Sequence, residues 1–183
     1  MRTYKMNREE LAITIYKTSH IYGSFKLRSG KFSNEYFDKY LFESKPELLK
    51  EIAENMLQIL PSEFDIIAGL EMGAIPLATI LSQITGKPLT LVRKRAKEYG
   101  TCKFAEGADV CGKKVLIVED VITSGGQVVL SANDLRSIGA IINTTVCVID
   151  RESGGDEALK AIDIELSALF KMSEIKEIVN KNK

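Results

Sequence analysis

The sequence predicts an α/β fold: a parallel sheet flanked by helices, with a small N-terminal appendage. Three observations predict it. Strand-like and helix-like segments alternate along most of the chain. Four short apolar runs lack the polar-apolar alternation of a half-exposed strand and therefore read as buried parallel strands. A chain of 183 residues can bury one sizeable core but has little room for a second full domain.

Taken in order, Asn7 followed by Glu10 matches a capping box, and Leu11, Ala12, Ile15 and Tyr16 give the ensuing helix one apolar face. The polar segment FKLRSGKFSNEYFD, 25–38, reads as a hairpin-like piece, and residues 1–42 together form the appendage. Ser44, Pro46 and Glu47 mark the next helix start, because a proline in the first turn gives up an N–H that has no helical partner there. The apolar stripe of this helix is Leu48, Leu49, Ile52, Ala53, Met56 and Leu57. The buried-strand candidates are DIIAG at 65–69, LTLVR at 89–93, KVLIVED at 114–120 and NTTVCVID at 143–150, with IELSALF at 164–170 as a fifth strand at the sheet edge. KRAKEYGTCKFAEGADVCGKK, 94–114, fits neither pattern and is longer than an ordinary connection, a length that marks functional or disordered loops.

Charge and cysteine content exclude several function classes. With 25 basic and 25 acidic residues the formal charge is zero, which supplies no broad positive field for nucleic acid or a membrane surface. No apolar run approaches the length of a membrane span, and the polar start MRTYKMNREE lacks the apolar core of a secretory signal, so a cytoplasmic location is expected. Cys102, Cys111 and Cys147 form no CxxC pair and read as free thiols. His20 has no cysteine or acidic cluster around it in the sequence and reads as structural or solvated.

Ligands of open parallel sheets bind beyond the carboxyl ends of the strands, so the residues ending each run are the candidates. In VLIVEDVITSGG, 115–126, an apolar strand ends in Glu119 and Asp120 and runs into Thr123, Ser124, Gly125 and Gly126 at the start of the next helix. Hydroxyls, glycines and free backbone N–H groups at a helix start make a phosphate cradle, and acceptor-only carboxylates beside it suit a sugar diol. Phosphate and diol together indicate a ribose phosphate. The spacing of a Walker phosphate loop and the GxGxxG pattern of a dinucleotide fold are both absent.

This stretch resembles the phosphoribosyl pyrophosphate (PRPP) signature of type I phosphoribosyltransferases. FKLRSGKFSNEYFD at 25–38, RKRAKEYGT at 93–101 and VIDRESGG at 148–155 resemble the orotate phosphoribosyltransferase family in particular. The resemblance implies a type I phosphoribosyltransferase core of five parallel strands (43–183), an N-terminal hood over the base (1–42) and a mobile loop at about 94–114. It also implies Mg2+ held mainly through PRPP, no protein metal site, and a homodimer whose loop closes over the neighbouring subunit's site. The implied reaction converts PRPP and orotate to orotidine 5′-phosphate and pyrophosphate in pyrimidine biosynthesis.

Carried over position by position, the resemblance assigns the ribose hydroxyls to Glu119 and Asp120 and the 5′-phosphate to the turn Val121, Ile122, Thr123, Ser124, Gly125, Gly126 and Gln127. Arg28, Arg93, Lys94, Lys97 and Tyr99 are implied to meet PRPP, as are Met72 and Gly73 of GLEMGAIP through backbone groups. Lys97 and Asp120 are the implied catalytic pair. Tyr36, Phe37, Thr123 and Arg151 are the implied orotate contacts, Arg151 because a planar guanidinium suits a carboxylate. Three positions depart from the pattern of well-studied bacterial members: Arg28 stands where many have Lys, Tyr99 where many have His, and Gly73 where some have Lys. A purine phosphoribosyltransferase would share 119–127 but lack the hood stretch and DRESGG, and a PRPP-sensing regulator would need a nucleic-acid module that neither length nor charge provides.

Overall fold

The structure, a computed structural model, describes residues 5–26, 30, 32–100 and 103–182. Arg28 and Cys102 lie outside the described residues. The predicted capping box forms around α1 (Arg8–Ser19): the Glu10 N–H donates to Asn7 Oδ1, the Asn7 N–H donates to Glu10 Oε2, both at 2.9 Å. Leu11, Ala12 and Ile15 of α1 are fully buried, each large aliphatic contributing about 1.5–3 kcal/mol. β1 (His20–Lys26) and β2 (Phe32–Phe37) pair antiparallel into a largely exposed ribbon, with His20 as its first residue.

A short helix the sequence reading missed, α2 (Lys39–Glu43), follows the ribbon, capped by Asp38. Ser44 closes α2, its hydroxyl donating to the Leu41 carbonyl, so the cap position of α3 (Pro46–Met56) is Lys45 and not Ser44. Pro46 occupies the first turn as expected. Leu48, Leu49, Ile52, Ala53 and Met56 are buried, whereas Leu57 has turned into a 3-10 segment (Leu57–Ile59) and is partly exposed.

The core sheet carries all five predicted strands in parallel: β3 (Ile66–Leu70), β4 (Leu89–Val92), β6 (Val115–Ile122), β7 (Thr144–Asp150) and β8 (Glu165–Lys171). A sixth strand, β5 (Ala105–Gly107), pairs antiparallel with β4 from within the stretch read as loop. The spatial order is β5-β4-β3-β6-β7-β8, so β8 is an edge strand as predicted. α4 (Ala74–Thr85), α5 (Gly126–Ser137), α6 (Gly155–Lys160) and α7 (Met172–Lys181) complete the layers. One apolar cluster joins α1, α3, α4 and α7 to one sheet face through Leu116 and Val118. The other joins α5 and α6 to the opposite face through Val115 and Ile117, the alternation expected of a strand buried on both sides.

Because β4 lies on one side of β3 and β6 on the other, the chain reverses direction across the sheet between β3 and β6. That switch point opens a crevice at their carboxyl ends. No helix among the described residues is long and apolar enough to cross a membrane.

Candidate active site at the sheet switch point

Near its carboxyl end β6 carries Glu119 and Asp120. The Val121 N–H donates to Asp120 Oδ1 at 2.5 Å. Val121 and Ile122 still belong to the strand: Ile122 is buried in the core and its carbonyl accepts from the Arg151 N–H at 2.8 Å. The open turn therefore begins at Thr123, with Thr123, Ser124, Gly126 and Gln127 exposed. Gly125 has φ 71°, a left-handed conformation that glycine adopts without steric cost. Gly155 of the DRESGG stretch lets α6 press against this turn, since a Cβ there would fall 2.5 Å from Ile122 Cγ2 and 2.9 Å from the Thr123 carbonyl.

Asp120 is completely buried, and its partner comes from the N-terminal region: Lys39 Nζ lies 2.5 Å from Asp120 Oδ2, with the Lys39 side chain 30% exposed. Glu43, one helical turn after Lys39, reaches the same carboxylate. Burial and then the hydrogen bond and charge of Asp120 push the Glu43 carboxyl up to about 9. Burial and the Asp120 charge likewise hold Glu119 well above the usual carboxylate range. Burial would raise Asp120 too, but hydrogen bonds with Glu43 and Glu119 and the Lys39 ammonium bring it below its ordinary value. Burial would lower Lys39, and the Asp120 charge outweighs it, so the ammonium is favoured. Sequence reasoning missed Lys39 and Glu43, although their i, i+4 spacing in DKYLFES was a visible signal.

Across the crevice, the β3 end continues into Glu71, Met72 and Gly73, with Met72 exposed and Gly73 buried. The Glu71 N–H donates to the Val92 carbonyl at 2.8 Å, which sets this loop beside Arg93 and Lys94, both exposed at the β4 end. Lys97 lies elsewhere: it is ion-paired with Glu106 of β5 and stands 6.0 Å from the centre of the exposed Tyr99 ring.

Three of the four predicted base residues come together. Tyr36 and Phe37 of β2 and Arg151 after β7 line one cavity of about 180 Å3, with Tyr16, His20, Glu35, Met172 and Lys176 among its other walls. His20 Nε2 lies 2.9 Å from Glu35 Oε2, and the imidazole stacks on Tyr16 at 4.6 Å between centroids. The Arg151 guanidinium forms no salt bridge with the described residues: Glu152 is engaged by Ser173 and Asp156 by Lys160. A cavity walled by two aromatic side chains and a guanidinium without an ion-pair partner among the described residues thus lies one hydrogen bond from the corner at 122–126.

Comparison with known proteins gives the family. A phosphoribosyl transferase domain matches residues 42–172. Orotate phosphoribosyltransferase of a Nocardioides species is 46% identical over 165 residues, 90% of this chain and 92% of that protein. The chain belongs to the orotate phosphoribosyltransferase family. The Pyrococcus abyssi member is 40% identical over 180 residues, 96% of this chain and 99% of its own length. A solved member, Mycobacterium tuberculosis H37Rv orotate phosphoribosyltransferase in complex with Fe(III) dicitrate, covers 92% of this chain and 98% of its own with a TM-score of 0.80 at 27% identity.

Of the residues that the family resemblance singled out, Glu119, Asp120 and the 121–127 stretch lie at the carboxyl end of β6, Met72 and Gly73 follow β3 and Arg93 and Lys94 follow β4, with Asp120 and Ile122 buried, and Tyr36, Phe37 and Arg151 meet at the cavity. Thr123 stays on the turn, outside that cavity's walls. Lys97 and Tyr99 stand with β5, and Arg28 is outside the described residues. Gly73 is in contact with Asp120: a Cβ there would lie 1.7 Å from Asp120 Oδ2, so a Lys at this position would need a rearranged strand end.

Proposed function

We propose that the chain transfers the 5-phosphoribosyl group of PRPP to N1 of orotate, giving orotidine 5′-phosphate and pyrophosphate in pyrimidine biosynthesis. The observation that carries this reading is the joining of two half-sites by one hydrogen bond. Arg151, at the base cavity, donates its N–H to Ile122, the residue that leads into the Thr123–Gly126 turn. In this reading the anomeric C–O bond to pyrophosphate breaks ahead of formation of the C–N bond to orotate. Orotate is already an anion, so no dedicated general base is required.

Residues 43–183 act as the PRPP-binding core and 1–42 as the hood over the base. Glu119 and Asp120 face the ribose hydroxyls, and the 121–127 turn takes the 5′-phosphate through backbone N–H groups and hydroxyls. Met72, Gly73, Arg93 and Lys94 meet the diphosphate, while Tyr36, Phe37, Thr123 and Arg151 orient the base. Arg28, from the hood, adds a cation to the PRPP site. Magnesium, when bound on the diphosphate, neutralises charge on the leaving group. The donor set suits a metal that brings phosphate ligands with it, because Glu43, Glu119 and Asp120 are engaged with one another and with Lys39.

The chain works as a cytoplasmic homodimer in which Lys97 and Tyr99 serve the partner's site. The ion pair of Lys97 with Glu106 on the edge strand β5, and the pairing of Asp120 with Lys39 instead, support that division. Loop closure would then exclude water from the developing ribosyl cation. A spectrophotometric assay with PRPP and Mg2+ tests the reading by comparing orotate with adenine, hypoxanthine, xanthine and uracil. Turnover of orotate alone is expected, and preference for a purine would overturn it.

A further inference from the structure

The Lys39, Glu43, Glu119 and Asp120 cluster raises an electrostatic difficulty. Three carboxylates and one ammonium, all ionised, would carry a net charge of about −2 beside the place proposed for a polyanionic substrate, in surroundings where water screens little. Glu43 Oε1 and the Asp120 carboxylate meet over Gly73, both within 2.9 Å of where a Cβ would stand there, and Glu119 contacts the same carboxylate from β6. Two ionised carboxylates have no hydrogen to share, so a hydrogen bond between them requires that one partner carry a proton and act as the donor. Asp120 is the acceptor within reach of both, and it already holds the Lys39 ammonium at 2.5 Å.

We propose that Lys39 and Glu43, both on α2, are positioning residues of the ribose-diphosphate site: Lys39 fixes the negative charge on Asp120, and Glu43 carries a proton that it donates to the same carboxylate. With Glu119 protonated as well, the cluster is electrically neutral and holds a single ionised carboxylate, Asp120, beneath the strand end where the ribose is proposed to sit. The groups facing Glu43 are Asp38 and Lys39 from its own helix and cap, and Asp120 and Glu119 from β6. The raised Glu43 carboxyl and depressed Asp120 carboxyl agree with this division. The pair also ties the N-terminal region to the strand end, beside Gly73.

This inference rests on the PRPP reading, and calorimetric titration with PRPP separates the two. Wild type is titrated first, alongside a Lys50→Met control at an exposed helix position. Failure of wild type to bind PRPP would defeat the parent reading and this inference with it. Given binding, Lys39→Met is expected to raise the PRPP Kd about 10- to 100-fold, since a buried charge loses its counter-ion, and Lys39→Arg to restore it to within about threefold. Orotate binding should shift by less than about threefold.

The pH profile provides the second arm. Wild type should lose PRPP affinity as pH rises through about 9, where Glu43 gives up its proton. Glu43→Gln, a neutral donor of the same shape, should remove that alkaline loss. Wild-type affinity in Lys39→Met, or an unchanged alkaline loss in Glu43→Gln, would overturn the proposal. If Lys39→Met does not fold by circular dichroism, the near-isosteric Glu43→Gln decides the question.

Discussion

Gly73→Ala adds one methyl group at the tightest contact in the crevice. Its Cβ would stand 1.7 Å from Asp120 Oδ2 and 2.9 Å from both Asp120 Cγ and Glu43 Oε1, where ordinary contacts begin at 3.4 Å. The carboxylate oxygen or the loop must therefore retreat by about 1.7 Å, with the Lys39 ammonium 2.5 Å away on Asp120 limiting the escape. Overpacking of this kind costs about 1–3 kcal/mol of stability, which lowers the Tm of a chain this size by roughly 2–12 °C. Displacing a positioned substrate acceptor by 1 Å or more should cost on the order of 100-fold in kcat/KM for PRPP. Steady-state kinetics with PRPP varied at saturating orotate, then with orotate varied, show whether the loss falls on PRPP. Scanning calorimetry gives the stability change. Undiminished PRPP use together with an unchanged Tm would refute the packing of Asp120 against this loop and its role as the ribose acceptor.

Three other outcomes are expected. Arg151→Ala should raise the orotate KM or lower turnover by tens- to several-hundred-fold, about 2–4 kcal/mol for a partly desolvated charge-assisted contact, with a smaller effect on PRPP binding; the reverse split would move the base pocket elsewhere. Mixing inactive Lys97→Ala and Asp120→Asn chains under subunit exchange should restore roughly a quarter of wild-type activity, because one site of each mixed dimer carries neither lesion. No recovery, with exchange shown by mass spectrometry of tagged chains, would mean that the loop serves its own subunit. For stability, the folded pKa of Glu43, about 9, lies above its ordinary 4.5, so the folded chain holds the extra proton and this group makes stability fall as pH rises from 4.5 to about 9. Glu43→Gln should flatten that window by up to about 1.4 kcal/mol per pH unit in denaturant titrations, and an unaltered slope would mean that Glu43 is ionised throughout.

The elements that the sequence announced are those whose signal is local. The apolar runs at 66–70, 115–122 and 144–150 became buried parallel strands because each run needs cover on both faces. Asn7 and Glu10 sit three residues apart and satisfy each other's backbone within one turn. The VLIVEDVITSGG stretch carries its strand, acids and turn in consecutive positions, which is why the ribose-phosphate reading was legible before any fold was known.

Other features had no local signal. β5 is three residues long, and AEG is strand only because β4 offers it an edge to pair with. Ser44 looks like a helix start in sequence but closes α2, whose five residues are too few for a periodic pattern to register.

By itself, then, the sequence determined the parallel core, its strand ends and the family, since these follow from periodicity and from contiguous residues. Only the tertiary structure decided that Lys39 pairs with Asp120, that Glu43 packs against the same carboxylate, and that Gly73 has no room for a side chain. Those partners are separated by dozens of residues along the chain, and their charge states depend on burial and on distances that packing alone sets.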